Sequence, residues 1–193
     1  LISSSIFYFM NKDELRKTHL TKRRALSETE FRKLSVKFSD LFFSSVDLSR
    51  IRTLHIYLPI ESKREPDTWL IIERIRIGFP HIRLVIPRVK GDEMENIFFA
   101  GPEQLEKTKW GMMEPTQGVH SDPQNIDMVI VPLLAVDKLG HRIGYGKGYY
   151  DRFLKLCRPN CIKIGVSFFE PEQNITEKSN HDVLLNACLT PFQ

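Results

Sequence analysis

The sequence predicts an α/β protein with a mainly parallel sheet covered on both faces. Strand-type and helix-type segments alternate along the chain. The longest apolar run, Met128 to Val136, has the length and flanks of a central strand passing into a loop. The chain has 193 residues, one domain's worth at ~100–200 residues per domain. Such a chain buries roughly 70% of its unfolded surface. Hydrophobic residues at 41% and charged residues at 27% exclude a disordered or collagen-like chain. Residues 10–193 are read as a single domain.

The apolar opening, Leu1 to Phe9, lacks the positive n-region and small-residue cleavage site of a signal peptide. Met10-Asn11-Lys12-Asp13 reads like a natural start, so residues 1–9 are expected to be an upstream extension. From Asn11 to Leu26 the spacing of Leu15, His19 and Leu26 is helical, with Asn11 as cap and Asp13 and Glu14 in the first turn. Ser27-Glu28-Thr29-Glu30 is a capping box. It opens a second helix with Phe31, Leu34, Phe38, Leu41 and Phe42 on one face. Ile51 to Pro59 alternates and is β-branched, as a strand requires. A polar loop, Glu61 to Pro66, leads to a helix from Asp67 that carries Trp69, Leu70, Ile72 and Ile75 and stops near Gly78 and Pro80. Leu84 to Pro87 and Ile97 to Ala100 are predicted as short strands. A helix from Gly148 to Leu156 and a strand from Ile162 to Phe168 follow the central strand. Ligands of such sheets sit beyond the carboxyl ends of the strands.

Charge and cysteines narrow the class. The net charge is +4, enough to accept an anionic ligand without demanding nucleic acid. The three cysteines, Cys157, Cys161 and Cys188, are an odd number in a long chain and point to a reducing, cytoplasmic setting rather than a disulfide scaffold. No CxxC pair suggests zinc, and the six histidines show no metal-ligand spacing. No apolar run reaches the ~18 residues that cross a bilayer.

The densest chemical signal is the run Gly140-His141-Arg142-Ile143-Gly144-Tyr145-Gly146-Lys147-Gly148-Tyr149-Tyr150-Asp151-Arg152. Closely spaced glycines let backbone N–H groups converge on an anion, and a following helix start adds partial positive charge. Arg142 and Lys147 bracket the loop and can neutralise phosphate oxygens. The G-x-G-x-G spacing is neither a Walker motif nor a dinucleotide fingerprint.

The loop and its ending resemble those of the 5-formyltetrahydrofolate cyclo-ligase family. Further segments agree in order: Lys12-Asp13-Glu14-Leu15-Arg16, Tyr57-Leu58-Pro59-Ile60, Glu65-Pro66-Asp67-Thr68, Ile86-Pro87-Arg88-Val89, Lys109-Trp110-Gly111-Met112-Met113-Glu114-Pro115, and His181-Asp182-Val183. The resemblance implies a three-layer α/β/α sandwich. It also implies an ATP-dependent closure of 5-formyltetrahydrofolate to 5,10-methenyltetrahydrofolate, with ADP and phosphate released. By the same resemblance Lys12, Arg16 and the stretch Arg142, Ile143, Gly144, Tyr145, Gly146, Lys147, Gly148, Tyr149 and Tyr150 hold ATP, with Arg142 and Lys147 catalytic. Leu58, Glu65, Trp110 and Tyr149 hold the folate, and Asp151 and Asp182 hold Mg2+. The implied partners are these small molecules alone, with no nucleic acid, no membrane and the chain as a monomer.

The residues themselves leave other readings open. Lys12 and Arg16 share a very basic helix with Arg23 and Arg24, whose ordinary role is a solvated face. Asp151 can serve as a helix-start residue, Asp182 as a turn residue and Trp110 as core. The Glu61 to Glu65 loop is longer than is usual in the family, so Glu61 competes with Glu65. The cluster of Lys17, Lys22, Arg23 and Arg24 would suit a polyanion, though no nucleic-acid-binding signature accompanies it. An ATP-free sugar-phosphate isomerase on a related sheet is a third possibility.

Overall fold

The central strand shows how the sheet is buried. Successive side chains of a strand point to opposite faces, and here both faces are dry. Met128 and Ile130 enter one apolar core, while Val129 and Val131 enter another. The structure, a computed structural model, describes residues 10–109 and 111–192. The expected extension at residues 1–9 lies outside the described residues.

In chain order the elements are α1 (Lys12–Arg24), α2 (Glu28–Ser45), β1 (Thr53–Ile56), α3 (Trp69–Gly78), β2 (Arg83–Lys90), β3 (Glu93–Phe98), β4 (Leu105–Lys107), β5 (Met113–Pro115), β6 (Met128–Pro132), β7 (Ala135–Val136), β8 (Arg142–Ile143), α4 (Tyr149–Leu156), β9 (Ile162–Val166) and β10 (Ala187–Leu189). Six strands form one sheet in the order β10-β9-β6-β1-β2-β3. All neighbours are parallel except the β2–β3 hairpin. Phe38 and Phe42 of α2 and Ile71, Ile72 and Ile75 of α3 cover one face, over Leu54, Ile56, Leu84, Ile86 and Ile130. Phe153 and Leu154 of α4 cover the other, against Val129, Val131 and Leu133. Each such side chain contributes about 1.5–3 kcal/mol of burial. The result is a three-layer α/β/α sandwich with a mainly parallel sheet.

The sequence signals at helix starts hold. The Asn11 side chain accepts from the Asp13 and Glu14 N–H groups, and Ser27 and Glu30 close a reciprocal capping box. Several strands differ from expectation: β1 keeps only Thr53–Ile56 of the expected 51–59, β3 lies at Glu93–Phe98 rather than 97–100, and β4, β5 and β8 are too short to leave a pattern. β2 runs on to Lys90 and pairs antiparallel with Glu93–Phe98. Its polar half, tied by Arg88–Glu95 at 2.6 Å and Lys90–Glu95 at 3.2 Å, gives no apolar signal. β10 is only Ala187–Leu189, too short for a periodic pattern.

Topology fixes where a ligand can sit. From β1 the chain moves to β2 and β3 on one side, and from β6 to β9 and β10 on the other. β1 and β6 are neighbours, so the strand order reverses between them, and their carboxyl ends form the crevice of a switch point. α1 lies on neither face. Leu15 packs with Ala135, Ile143 and Ile175 beside the β7–β8 hairpin, which brings the start of α1 to that crevice.

Candidate active site

A cavity of about 970 Å³ opens at this crevice. Tyr57 and Leu58 follow β1 into it, Pro132 ends β6 beneath it, and Val89 and Met94 of the β2–β3 hairpin wall one side. Segments 142–152 and the start of α1 wall the other.

The second wall is built around glycines. Gly146 (φ +87°) and Gly148 (φ +68°) hold left-handed backbone that L side chains adopt only with strain. Gly148 caps α4 with no side-chain hydrogen bond, so the first-turn N–H groups of α4 lack a side-chain acceptor among the described residues. Lys147 is exposed, and its ammonium has no partner among the described residues. Arg16 donates from Nε to the Gly144 carbonyl at 3.1 Å, and its guanidinium lies against Gly146. Lys12 Nζ meets Asp182 Oδ2 at 2.9 Å. Burial opposes the Asp182 carboxylate, but the Lys12 and Ser179 hydrogen bonds and nearby cations outweigh it and hold its pKa below the usual value.

Arg142 is more engaged than the motif suggests. Its side chain is 5% exposed, donates from Nη2 to Asp151 Oδ1 at 2.6 Å, and reaches the Val183 carbonyl through Nη1. The Val183 N–H also donates to Asp151, at 3.1 Å. The pair therefore ties the glycine loop, α4 and the 179–183 segment together. Ile143 is buried among Leu15, Ala135 and Ile175, and its side chain does not line the cavity.

Glu65 organises the deeper side. It is 3% exposed although it sits in a polar loop. The Tyr145 hydroxyl donates to Oε1 at 2.6 Å, and the Ile60 N–H to Oε2 at 2.7 Å. Arg23 donates to the Tyr145 hydroxyl, to the Lys63 carbonyl at 2.7 Å and to the Leu133 carbonyl at 3.2 Å. Burial raises the Glu65 pKa, opposed by the Tyr145 bond and the Arg23 charge. Burial likewise pushes the Tyr145 and Tyr150 hydroxyls up, so both stay protonated; Tyr145 donates to Glu65, while the Tyr150 hydroxyl is buried with no partner among the described residues. Leu58, Val89, Met94, Met112 and Met113 supply an apolar lining beside this network.

Of the residues expected to bind substrates, Lys12, Arg16, Leu58, Glu65, Arg142, the stretch Gly144 to Tyr150, Asp151 and Asp182 all meet in this one cavity. Glu61 is exposed and outside its lining. Trp110 lies outside the described residues. Sequence reasoning missed Arg23, read as part of a solvated basic face. It is 4% exposed and turned inward, which also breaks the basic cluster that would have suited a polyanion. A signal existed: Lys12, His19 and Arg23 fall with Leu15 on one helical stripe.

Asp151 and Asp182 fit a hard cation in part. Each has one oxygen engaged by cations and N–H groups and the other without a protein partner among the described residues. Among the described residues no third His, Cys, Asp or Glu joins them in a cluster. An ion here would draw the rest of its oxygen shell from water and phosphate, as Mg2+ ordinarily does.

Comparison with known proteins agrees with the geometry. A 5-formyltetrahydrofolate cyclo-ligase of Mycoplasma pneumoniae is 32% identical over 160 residues, 82% of this chain and 86% of that protein. One of Mus musculus is 28% identical over 145 residues, 69% of this chain and 68% of that protein. The structure of Aquifex aeolicus 5,10-methenyltetrahydrofolate synthetase superposes with a TM-score of 0.82 at 32% identity, covering 95% of this chain and 91% of that one. A 5,10-methenyltetrahydrofolate synthetase from Mycoplasma pneumoniae gives 0.74 at 30% identity, covering 93% and 98%. A profile built for the cyclo-ligases matches residues 9–191, and with the switch-point cavity and its glycine loop this makes the chain a member of the 5-formyltetrahydrofolate cyclo-ligase family.

Proposed function

We propose that the chain catalyses ATP-dependent cyclisation of 5-formyltetrahydrofolate to 5,10-methenyltetrahydrofolate, releasing ADP and phosphate. One observation carries the reading: a single cavity joins a cationic glycine loop to a buried carboxylate beside an apolar, methionine-lined wall. The first suits a triphosphate, the second a flat, polar-edged ring.

The formyl oxygen is an amide oxygen and a poor leaving group. Transfer of the γ-phosphoryl group makes it an imidate phosphate. N10 then attacks the activated carbon, the C–O bond breaks, phosphate leaves and the N10 proton is lost. Such transfer needs positioning and charge stabilisation rather than a protein nucleophile. Lys147, free and on the loop, meets the charge that develops on the transferred group. Lys12 exchanges Asp182 for phosphate, and Arg16 steadies the loop from the Gly144 carbonyl. Arg142 holds the loop through Asp151. Glu65, aligned by Tyr145 and Ile60, accepts pterin N–H groups, and Tyr149 offers a ring face to the folate. Asp151 and Asp182 would hold Mg2+, which when bound offsets triphosphate charge. Asp151→Asn and Asp182→Asn should each raise the magnesium requirement, and the double variant should be less than additive if both serve one ion.

Three free cysteines support a reducing, cytoplasmic setting, and we read the chain as a monomer. Among the described residues no helix is long and apolar enough to cross a membrane. The deciding experiment follows the ultraviolet absorbance of methenyltetrahydrofolate from 5-formyltetrahydrofolate. Product with Mg-ATP and none without it supports the reading. Folded protein that forms none with Mg-ATP overturns it.

A further inference from the structure

The tip of the β2–β3 hairpin turns at Gly91 (φ +60°), beyond the main sheet. Two side chains from the first turn of α4 grip it, both through its main chain. The Tyr149 hydroxyl donates to the Gly91 carbonyl at 3.0 Å, and Arg152 Nη2 donates to the Asp92 carbonyl at 2.6 Å. Arg152 Nη1 donates elsewhere, to the Lys147 carbonyl at 3.1 Å, inside the glycine loop. The same guanidinium carbon lies 5.2 Å from the centroid of the Tyr149 ring. No role in the reaction derived above uses Arg152.

We propose that Arg152 is a positioning residue that couples the glycine loop to the β2–β3 hairpin, so that a nucleotide on the loop tightens binding of the folate beside the hairpin. The inference rests on the functional reading above. Its physical basis is the rigidity of the guanidinium. Nη1 and Nη2 are fixed in one plane, so the Lys147 and Asp92 carbonyls cannot move independently while both bonds persist. The loop carries glycines at 144, 146 and 148 and loses backbone freedom when phosphate orders it. That ordering fixes the Lys147 carbonyl, then Arg152, then the hairpin tip. Val89 and Met94, just behind the tip, are cavity wall. A folate arriving at an already ordered wall gives up less conformational entropy. By linkage the folate must tighten nucleotide binding by the same factor.

The test is calorimetry of 5-formyltetrahydrofolate with and without magnesium and the β,γ-imido analogue of ATP, which cannot turn over. In the wild type the analogue should tighten folate binding about five- to tenfold, the low end of the ~5–150-fold range of such couplings. Arg152→Lys retains the charge but offers one nitrogen; Arg152→Ala removes both contacts. In each, the ligands should bind independently, the coupling factor falling to about one whatever either ligand's affinity alone. Arg152 is exposed, so both variants should fold, and melting checks this. Hydrogen exchange supplies a readout without folate: the analogue should slow amides 88–96 in the wild type and leave them unchanged in the variants. Coupling absent from the wild type, or retained in both variants, overturns the proposal. So does a loss of analogue affinity with coupling intact, which would make Arg152 a phosphate contact. Folded wild type that binds neither ligand refutes the functional reading itself, an outcome distinct from binding without coupling.

Discussion

The two walls of the cavity are built by different physics. The glycine-loop wall comes almost whole from one run of chain, residues 142–152, plus the start of α1. Its charged groups reach solvent: the Lys12 and Asp182 side chains are 20% and 23% exposed, and the Lys147 ammonium has no partner among the described residues. Ion pairs that water can reach are worth ~0–1 kcal/mol, so they can change partner when a triphosphate arrives. The Glu65 wall is assembled across long sequence separations, with Tyr145 80 residues from Glu65 and 122 from Arg23. Glu65 and Arg23 are buried with every polar side-chain atom hydrogen-bonded, and in low dielectric such a network is rigid and costly to break. One wall is arranged to exchange partners, the other to keep them.

The largest effect should come from the exchanging wall. Lys147→Ala should leave the fold intact, because the side chain is exposed and its ammonium has no hydrogen-bond or ion-pair partner among the described residues. It removes a cation from the place where charge develops. Loss of one such donor typically costs ~2.7–4 kcal/mol in the barrier, or about 10²–10³ in kcat. Turnover at saturating Mg-ATP measures it. Near wild-type kcat would make this wall a binding surface only.

Glu65→Gln probes the keeping wall. A charge-assisted hydrogen bond is worth about 1.5–3 kcal/mol, so the folate KM should rise roughly tenfold or more, while the nucleotide KM hardly moves. The amide also turns a donor toward the Tyr145 hydroxyl or the Ile60 N–H, so the melting temperature should fall. If both substrate constants rise together, the two walls are not separable and the contrast between them fails.

The same contrast explains what was legible in the sequence. The glycine loop could be read because its parts are neighbours in the chain, and the periodic helices and central strand because burial follows a short repeat. Glu65 could be singled out only by resemblance. Its burial depends on Tyr145 and Ile60 folding over a loop that looks wholly polar. Arg23 was invisible as a site residue because a basic residue near a helix end has a common solvated use, and only its stripe partners argued otherwise. The role of Arg142 was half legible: the charge was seen, but its partner Asp151 was read for metal, and the link to Val183 is set by the terminal segment's path. Arg23→Gln tests the unread part. Three acceptors lose a charged donor, so stability should fall by about 1.5–3 kcal/mol and the folate KM should rise several-fold, both smaller than the Lys147 effect on turnover. A neutral outcome in denaturant melts would return Arg23 to the solvated face.

The smallest expected effect belongs to the Lys12–Asp182 pair, which latches the start of α1 to the segment that follows β9. The folded pKa of Asp182 is depressed. A depressed carboxyl contributes stability above its unfolded pKa, near 4, and loses it as pH falls through the folded value. The pair is reached by solvent, so its contribution should be on the order of 0.2–1 kcal/mol. Melting wild type and Asp182→Asn from pH 7 down to pH 3 should therefore show a small gap at neutral pH that closes toward the acid end. Salt should narrow the gap at pH 7, because exposed pairs are screened. A gap that is large, or constant with pH, would mean that Asp182 holds the fold through its Ser179 hydrogen bond rather than through Lys12. Lys12 would then have no weak partner to give up, and the glycine-loop wall would lose the exchange that separates it from the wall around Glu65.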